Sequence, residues 1–291
     1  MREPATAVDS LIWRRQGVTA GQRIVPEETA IAFSYDGGTY AVMMATPQDL
    51  EDFALGFSLT ESLVSSLADI RQFEIVEHDG GIELRMWLVE PRAAALSERR
   101  RHLAGPTGCG LCGIESLEEA VRSLPRVPDG ATFTPAEIMR ALDLLSPRQE
   151  LNRQTRAVHA AAFWQPDAGL VAVREDVGRH NALDKLAGAL LRGTVPCQNG
   201  MVLLTSRVSV EMVQKTAIIG APLIVAVSAP TALAVRTAEA AGITLVAIAR
   251  SDGFEIFAHP QRIKETTAQE TKAQETEAQE TEAQEATFHV A

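Results

Sequence analysis

Cysteine is scarce in this chain: three among 291 residues, Cys109, Cys112 and Cys197. So odd and sparse a set cannot build the disulfide framework of a secreted domain, and it fits a reducing compartment. The expected location is the cytoplasm. The opening stretch, MREPATAVDSLIWRRQG, has no apolar run of signal-peptide length and is expected to form a soluble arm. An excess of basic charge is also missing. The formal net charge is −11, which excludes the basic footprint that bulk nucleic-acid binding needs. Uninterrupted apolar runs of membrane length are lacking too. Ala217–Val235 contains no charged residue, but Gly220, Pro222, Ser228, Pro230 and Thr231 divide it into a helix end, a strand and a helix start. No membrane association is expected.

What is present can build a substantial core. Hydrophobic residues make up 46% of the chain, enough for one large domain or two ordinary ones without a covalent staple. Part of the acidity is local. From Thr266 to Glu285 the chain repeats TTAQE, TKAQE, TEAQE, TEAQE, with six Glu against one Lys. The repeat offers no apolar face, so 264–291 is expected to be a solvated acidic tail. Truncation after Lys264 should leave melting temperature, oligomeric state and activity unchanged; a large fall in melting temperature on calorimetry would refute that assignment.

The remaining chain divides after an arm at 1–27. Over 28–128 an α+β region is expected. Ile31–Tyr35 and Thr39–Ala45 flank the hairpin signal Asp36-Gly37-Gly38, and Asp79-Gly80-Gly81 marks a second hairpin. Thr46-Pro47-Gln48-Asp49 carries a capping hydroxyl and an early proline, predicting a helix to about Leu63. Thr134-Pro135-Ala136-Glu137 repeats the signal, for a helix to about Leu145. Over 129–263 an α/β domain is expected. Leu170–Val173, Met201–Thr205, Leu223–Val227 and Ile243–Ile248 read as strands. Asn181–Leu191, Ser209–Ile219 and Thr231–Ala241 read as the helices between them, with Gly193, Gly220 and Gly242 at left-handed helix ends. That alternation predicts a parallel sheet in a three-layer domain.

Open α/β sheets bind ligands beyond the carboxyl ends of their strands. Four polar clusters fall there: Arg174-Glu175-Asp176, Ser206-Arg207, Ser228-Ala229-Pro230-Thr231 and Arg250-Ser251-Asp252. Arg174 to Lys185 is the densest, and Arg174, Asp176, Arg179 and His180 in it suit an anion at a helix start. A solvated loop capped by Asn181 accounts for the same residues, and both readings stand. His159, among small residues, reads as a satisfied core or helix-face histidine. A zinc deaminase would need His-x-Glu and Pro-Cys-x-x-Cys. Ala161 occupies the Glu position and Pro196-Cys197 has no second cysteine, so that chemistry is absent.

The sharpest local signal is Gly105-Pro106-Thr107-Gly108-Cys109-Gly110-Leu111-Cys112-Gly113, a glycine-rich loop before a helix expected over Glu115–Leu124. A thiol near a helix N-terminus loses its proton more readily, and thiolate is the form that attacks disulfides or accepts sulfane sulfur. Zinc needs four ligands. No second cysteine pair exists, and only the scattered His102, His159 and His180 could complete a set, so no metal ligand is assigned. Disulfide redox and sulfur transfer both remain open on spacing alone.

Taken together, TPQDLEDFALGF, the CGLCG loop, REDVGRHNALDKLAG, LLTSRVSVEMVQK, SAPTALAV and TLVAIARSDGFEIFAHPQRI resemble the formate dehydrogenase accessory sulfurtransferase family over roughly residues 28 to 263. The resemblance implies a cytoplasmic homodimer that accepts persulfide sulfur from a cysteine desulfurase. It would pass that sulfur to the molybdenum bis(molybdopterin guanine dinucleotide) cofactor, its bound substrate, for formate dehydrogenase. Cys109 matches the persulfide-carrying cysteine and Cys112 its partner. Ile248, Ala249, Arg250, Ser251, Asp252 and Gly253 match the cofactor-binding stretch, making 129–263 the cofactor-binding domain. The fold implied is similar to cytidine deaminase. Two positions depart from the family pattern. Arg156 replaces a common glycine, so a changed backbone is expected there, and Gly253 stands where an arginine is frequent. The competing functions are a thiol–disulfide oxidoreductase and a non-catalytic molybdenum-cofactor chaperone.

Overall fold

The computed structural model describes residues 2–90, 92–93, 124–128 and 130–264. The Cys109–Cys112 loop, most of the helix expected over Glu115–Leu124 and the repeat tail lie outside the described residues; Leu124 itself is not helical. The opening arm is a β-ribbon. Ala5–Arg14 (β1) and Gly17–Pro26 (β2) pair antiparallel along their whole length.

Thr29–Tyr35 (β3) and Gly38–Ala45 (β4) form the first expected hairpin. Asp36 and Gly37 both take positive φ, 49° and 80°, the two-residue turn whose twist matches paired strands. The second hairpin, Ile70–His78 (β5) and Gly81–Leu88 (β6), joins it in the order β4-β3-β6-β5. One face of this sheet buries Ile31, Phe33, Tyr35, Ile82, Leu84 and Met86 beneath helix α1 (Leu50–Thr60). Phe33 stacks on Phe57 at 4.1 Å and meets Phe53 edge-on at 4.9 Å.

Helix α1 begins three residues later than the sequence signal at Thr46 suggests, with Asp49 rather than Thr46 at its cap position. The Thr46 hydroxyl accepts instead from Val177 N–H at 3.2 Å, and its own N–H donates to Asp176 Oδ2 at 3.0 Å. A partner distant in sequence has captured a local cap.

The second half opens with Leu124–Val127, where Val127 belongs to the second core and bonds to the Ala241 carbonyl. Helix α2 (Pro135–Leu145) has the reciprocal cap its sequence promised: Glu137 N–H donates to Thr134 Oγ1 and Thr134 N–H to Glu137 Oε2. Helix α3 (Glu150–Thr155) ends at Arg156 with φ 59°. The backbone thus keeps a glycine-like conformation at this departure from the family pattern rather than changing it.

Next come β7 (His159–Gln165), β8 (Gly169–Asp176), α4 (Arg179–Arg192), β9 (Met201–Leu204), α5 (Val210–Ile219), β10 (Leu223–Ala226), α6 (Ala232–Ala241), β11 (Thr244–Arg250) and β12 (Gly253–Ala258). Their sheet runs β12-β11-β10-β9-β7-β8. It is mixed, which corrects the expectation of a parallel sheet. β9, β10 and β11 are parallel, whereas β7 runs antiparallel to both neighbours and β12 antiparallel to β11. Connection length explains this: β7–β8 and β11–β12 are joined by turns of three and two residues, too short for the crossover a parallel pair requires.

The three-layer expectation holds. Helices α4, α5 and α6 cover one face through Leu183, Leu186, Met212, Val213, Ala234 and Ala238, and α2 covers the other through Ile138, Ala141 and Leu145. Gly220 and Gly242 close α5 and α6 at φ 81° and 74°, but Gly193 ends α4 at φ −76° without the left-handed turn.

The halves meet where α1 crosses α4. A Cβ on Gly56 would stand 1.7 Å from the Asp184 carbonyl oxygen, and one on Gly188 1.9 Å from that of Asp52. Three buried charge clusters flank the crossing. Asp176 pairs with Lys185 at 2.7 Å, Asp184 with Lys215 at 2.6 Å, and Arg174 with Asp52 at 2.6 Å. Each also reaches the opposite half or spans the junction: Lys185 donates to the Thr46 carbonyl at 2.9 Å and Thr60 Oγ1 to Asp184 Oδ1 at 2.6 Å. Removing one partner of such a buried pair costs about 3–5 kcal/mol.

Candidate functional site

Because β7 is antiparallel to both β8 and β9, strands β8, β9, β10 and β11 all point their carboxyl ends to one rim. The N-termini of α4, α5 and α6 open there too, as do the first residues of β7 and β12. The loops forming the rim are stitched together. Val208 N–H donates to the Ala229 carbonyl at 3.3 Å and Thr231 N–H to that of Val208 at 3.0 Å; Ile248 N–H donates to Ser228 O at 3.3 Å. Thr231 caps α6, its side chain accepting from Ala234 N–H. Ser206 is buried with its hydroxyl donating to the Arg207 carbonyl, while Arg207 is exposed.

The segment Ile248–Gly253 lies at the β11–β12 edge of this rim. Ile248 has φ 54°, and the β11–β12 register breaks between Ala247 and Arg250. A β-branched residue in the left-handed region is rare, costs on the order of 1–3 kcal/mol, and collects at functional sites. Ala249 is buried beneath the bulge, whereas Arg250, Ser251 and Asp252 are exposed. The Arg250 guanidinium bends back to the Val227 carbonyl. That bond uses one of its five donors and holds the group above the end of β10. Gly253 has φ 150° and open space where a Cβ would stand. A side chain there would meet no neighbour but would strain the backbone.

A second cluster lies at the β7–α4 side. Glu211 Oε2 accepts from Ser209 Oγ at 2.6 Å and faces His180 Nε2 at 3.5 Å. The imidazole, chiefly, with Ser209 adding, holds the Glu211 carboxyl down to about 2. The 3.5 Å approach is an ion-pair distance rather than a hydrogen bond. His180 Nε2 and Arg179 Nε are both enclosed with no hydrogen-bonding partner among the described residues. His159, half-buried at the start of β7, is pushed below its ordinary value by burial first and by the Arg179 charge second. It is neutral at pH 7. Arg179 Nε is thus an enclosed donor without an acceptor among the described residues, while His180 Nε2 faces the Glu211 carboxylate.

Of the expected rim residues, Arg174 and Asp176 are used elsewhere. Asp176 is wholly buried, accepting from Thr46 N–H, Gly178 N–H and Asn181 Nδ2 besides pairing with Lys185. Arg174 is committed to Asp52. Both belong to the junction between halves. Asn181 does not cap α4; it lies in the first turn and also donates to the Met44 carbonyl. His159, Ser209 and Glu211 are not among the expected site residues; Ser209 and Glu211 stand at the start of α5, a helix the sequence predicts over Ser209–Ile219. Among the described residues no group of three His, Cys, Asp or Glu could hold a metal ion, and no helix is long and apolar enough to cross a membrane.

A three-layer α/β domain whose helix N-termini open on one polar rim has the arrangement in which open α/β sheets place their ligand sites. The chain belongs to the FdhD/NarQ family, which it matches over residues 26–264. It is 56% identical over 251 residues to the "Sulfur carrier protein FdhD" of Agrobacterium fabrum, covering 86% of this chain and 93% of that one. With the protein of the same name from Cupriavidus necator it shares 50% identity over 252 residues, 87% of this chain and 88% of that one. Among solved structures it is similar to a formate dehydrogenase accessory protein from Desulfotalea psychrophila, at TM-score 0.72 and 26% identity, covering 90% of this chain and all of that one.

Proposed function

We propose that this protein carries sulfur for formate dehydrogenase maturation, as a persulfide on Cys109. The observation that carries the reading is the Cys109-Gly-Leu-Cys112 loop, set within a chain whose relatives at 46–56% identity are named sulfur carriers. A cysteine desulfurase presents sulfane sulfur on its own cysteine. The Cys109 thiolate attacks that sulfur, the desulfurase cysteine leaves as thiolate, and no net electrons move. Release as sulfide takes two electrons. Attack by the Cys112 thiolate on Cys109 supplies them, forming a Cys109–Cys112 disulfide that a cellular dithiol then reduces. The recipient in this reading is the molybdenum bis(molybdopterin guanine dinucleotide) cofactor, bound along the rim as substrate in a cytidine-deaminase-like half, in the cytoplasm. Arg250 and Asp252 address the guanine nucleotide end, Ser228 and Thr231 add helix-start amides, and Arg179 and His180 take a phosphate.

Mass spectrometry after incubation with a desulfurase and cysteine tests the sulfur step. A gain of roughly 32 Da, one sulfur atom, supports it. A loss of about 2 Da, with no gain, points to a disulfide oxidoreductase instead. No change, together with cofactor binding, would leave a chaperone. The rim is tested by titrating GDP, a stand-in for the guanine nucleotide end. Arg250→Ala should weaken binding about tenfold, since a charge-assisted contact contributes about 1.5–3 kcal/mol. Unchanged affinity in both Arg250→Ala and Asp252→Ala, with melting temperature preserved, would move the ligand elsewhere.

A further inference from the structure

Helix α4 carries the basic side chains Arg179, Lys185 and Arg192. Lys185 pairs with Asp176 at 2.7 Å and Arg192 with Glu51 at 2.6 Å. Arg179, the first residue of the helix, makes no ion pair and no side-chain hydrogen bond among the described residues, although it is half-buried and its Nε is enclosed. A charge drawn partly out of water is ordinarily paired, because desolvation without a partner is costly. The carboxylates of this corner are already engaged. Asp176 is wholly buried on Lys185, and Glu211 accepts from Ser209 at 2.6 Å and faces His180 at 3.5 Å.

His159 shares the corner. It opens β7, directly across from Asp176 at the end of β8, and α4 starts at Arg179 just beyond that strand. The imidazole is half-buried, and no hydrogen bond reaches its ring nitrogens among the described residues. Three neighbouring groups bear on its charge besides burial. Arg179 and His180, both on α4, disfavour the protonated ring, and Asp176 on β8 favours it. Burial and Arg179 prevail, so the ring is held neutral. The unpaired guanidinium thus acts twice: it lacks an anion, and it keeps a proton off the imidazole beside it.

We propose that Arg179 and His159 form one seat for a phosphate group of the rim's ligand, and that a phosphate dianion placed on Arg179 draws a proton from solvent onto His159, which then donates to it. The inference rests on the reading of the rim as a nucleotide-binding surface. A phosphate carries about −1.5 to −2 charges at pH 7. Roughly one of these offsets Arg179, and the remainder favours the charged imidazole. A monoanionic carboxylate would cancel Arg179 and supply nothing further, so the seat prefers phosphate. Protonated His159 has a donor on each ring nitrogen and can make a charge-assisted bond to a phosphoryl oxygen. No covalent bond forms or breaks. The sign follows by linkage. The ring is neutral before binding and titrates at higher pH once the anion is seated, so binding takes up protons. Affinity therefore rises as pH falls through the interval between the free and bound values, and the gain stops below the free value, where the ring is already charged.

Calorimetric titration of the full chain with GDP, and separately with inorganic pyrophosphate, tests it in pairs of buffers that differ in ionisation heat. Both probes gain protons of their own near neutral pH, and His159→Gln supplies the subtraction. Wild type should take up more protons than this variant, by up to about one per ligand, and should gain up to about tenfold more affinity for each pH unit lowered. Arg179→Gln should bind both probes about tenfold more weakly, as loss of a charge-assisted contact requires. Without ligand, it should also raise the pH at which the His159 ring titrates by NMR. The ring titration of wild type, with and without pyrophosphate, needs no substitution, and its midpoint should rise on binding. GDP bound with equal proton uptake in wild type and His159→Gln, or with a His159 titration that pyrophosphate leaves unmoved, overturns the seat and leaves the rim as the nucleotide surface. Pyrophosphate bound with His159-dependent uptake, but no binding of GDP, sustains the seat and sinks the nucleotide reading. Binding of neither probe overturns both.

Discussion

Cys109→Ala, incubated with a cysteine desulfurase and cysteine, should gain no sulfur and should not support maturation of formate dehydrogenase. The effect is total in this reading because the Cys109 thiolate is the attacking group and Cys112 serves only as the resolving thiol. Cys112→Ala should behave differently. It keeps the acceptor thiol and therefore the added mass of roughly 32 Da, but loses the internal electron source, so sulfur leaves more slowly. Cys197 supplies an internal control. It is half-buried, its thiol donates to the Val195 carbonyl at 3.3 Å, and burial pushes it up to about 11. At neutral pH almost no thiolate forms there, so the sulfur should not reappear on it in the Cys109 variant. Equal loss in both CxxC variants, with a disulfide in wild type, would favour the oxidoreductase.

Gly188→Ala should destabilise the protein by about 3 kcal/mol or more, an overpacking cost at the upper end of the usual range. Helix propensity alone argues the opposite, since alanine is favoured over glycine by about 1 kcal/mol in a helix interior. The close crossing decides the sign. The new methyl would lie 1.9 Å from the Asp52 carbonyl oxygen and 2.6 Å from its carbon, and a backbone on a packed helix cannot step aside as a side-chain tip can. For a chain of this size the loss corresponds to a fall in melting temperature of about 6–12 °C. Gly80→Ala is the matched control, because nothing lies within 4 Å of its added carbon. A neutral Gly188→Ala would mean that α1 and α4 are more widely separated than described.

Local chemistry was legible where it had no competitor. Asp36-Gly37 made its turn and Thr134–Glu137 its cap, because every group those motifs need lies within a few residues. Thr46 carried an equally good start signal and failed, since Asp176 and Val177, 130 residues on, bind it instead. Strand β7 escaped notice because His159-Ala160-Ala161-Ala162 is poor in the branched and aromatic residues that mark strands. Its central position comes from burial on both faces, which a run of alanines does not announce. The rim was visible as polar clusters after apolar runs. What could not be read was which charges face a ligand. Arg174 looks like an anion-binding residue until its partner Asp52, 122 positions away, is in view.

The junction of charges between α1 and α4 bears on how the protein comes apart. Two hydrophobic clusters, one under the four-stranded sheet and one beside the six-stranded sheet, would ordinarily melt as separate units. Here neither can leave alone. Opening the first half would strand Lys185 and Lys215 without Thr46 and Thr60, and opening the second would strand Asp52 without Arg174. Each intermediate therefore retains desolvated groups with incomplete partners, and its population is suppressed. Amide hydrogens of β3 and of β10 should exchange at one common limiting rate, and denaturant should give a single coincident transition by tryptophan fluorescence and by circular dichroism.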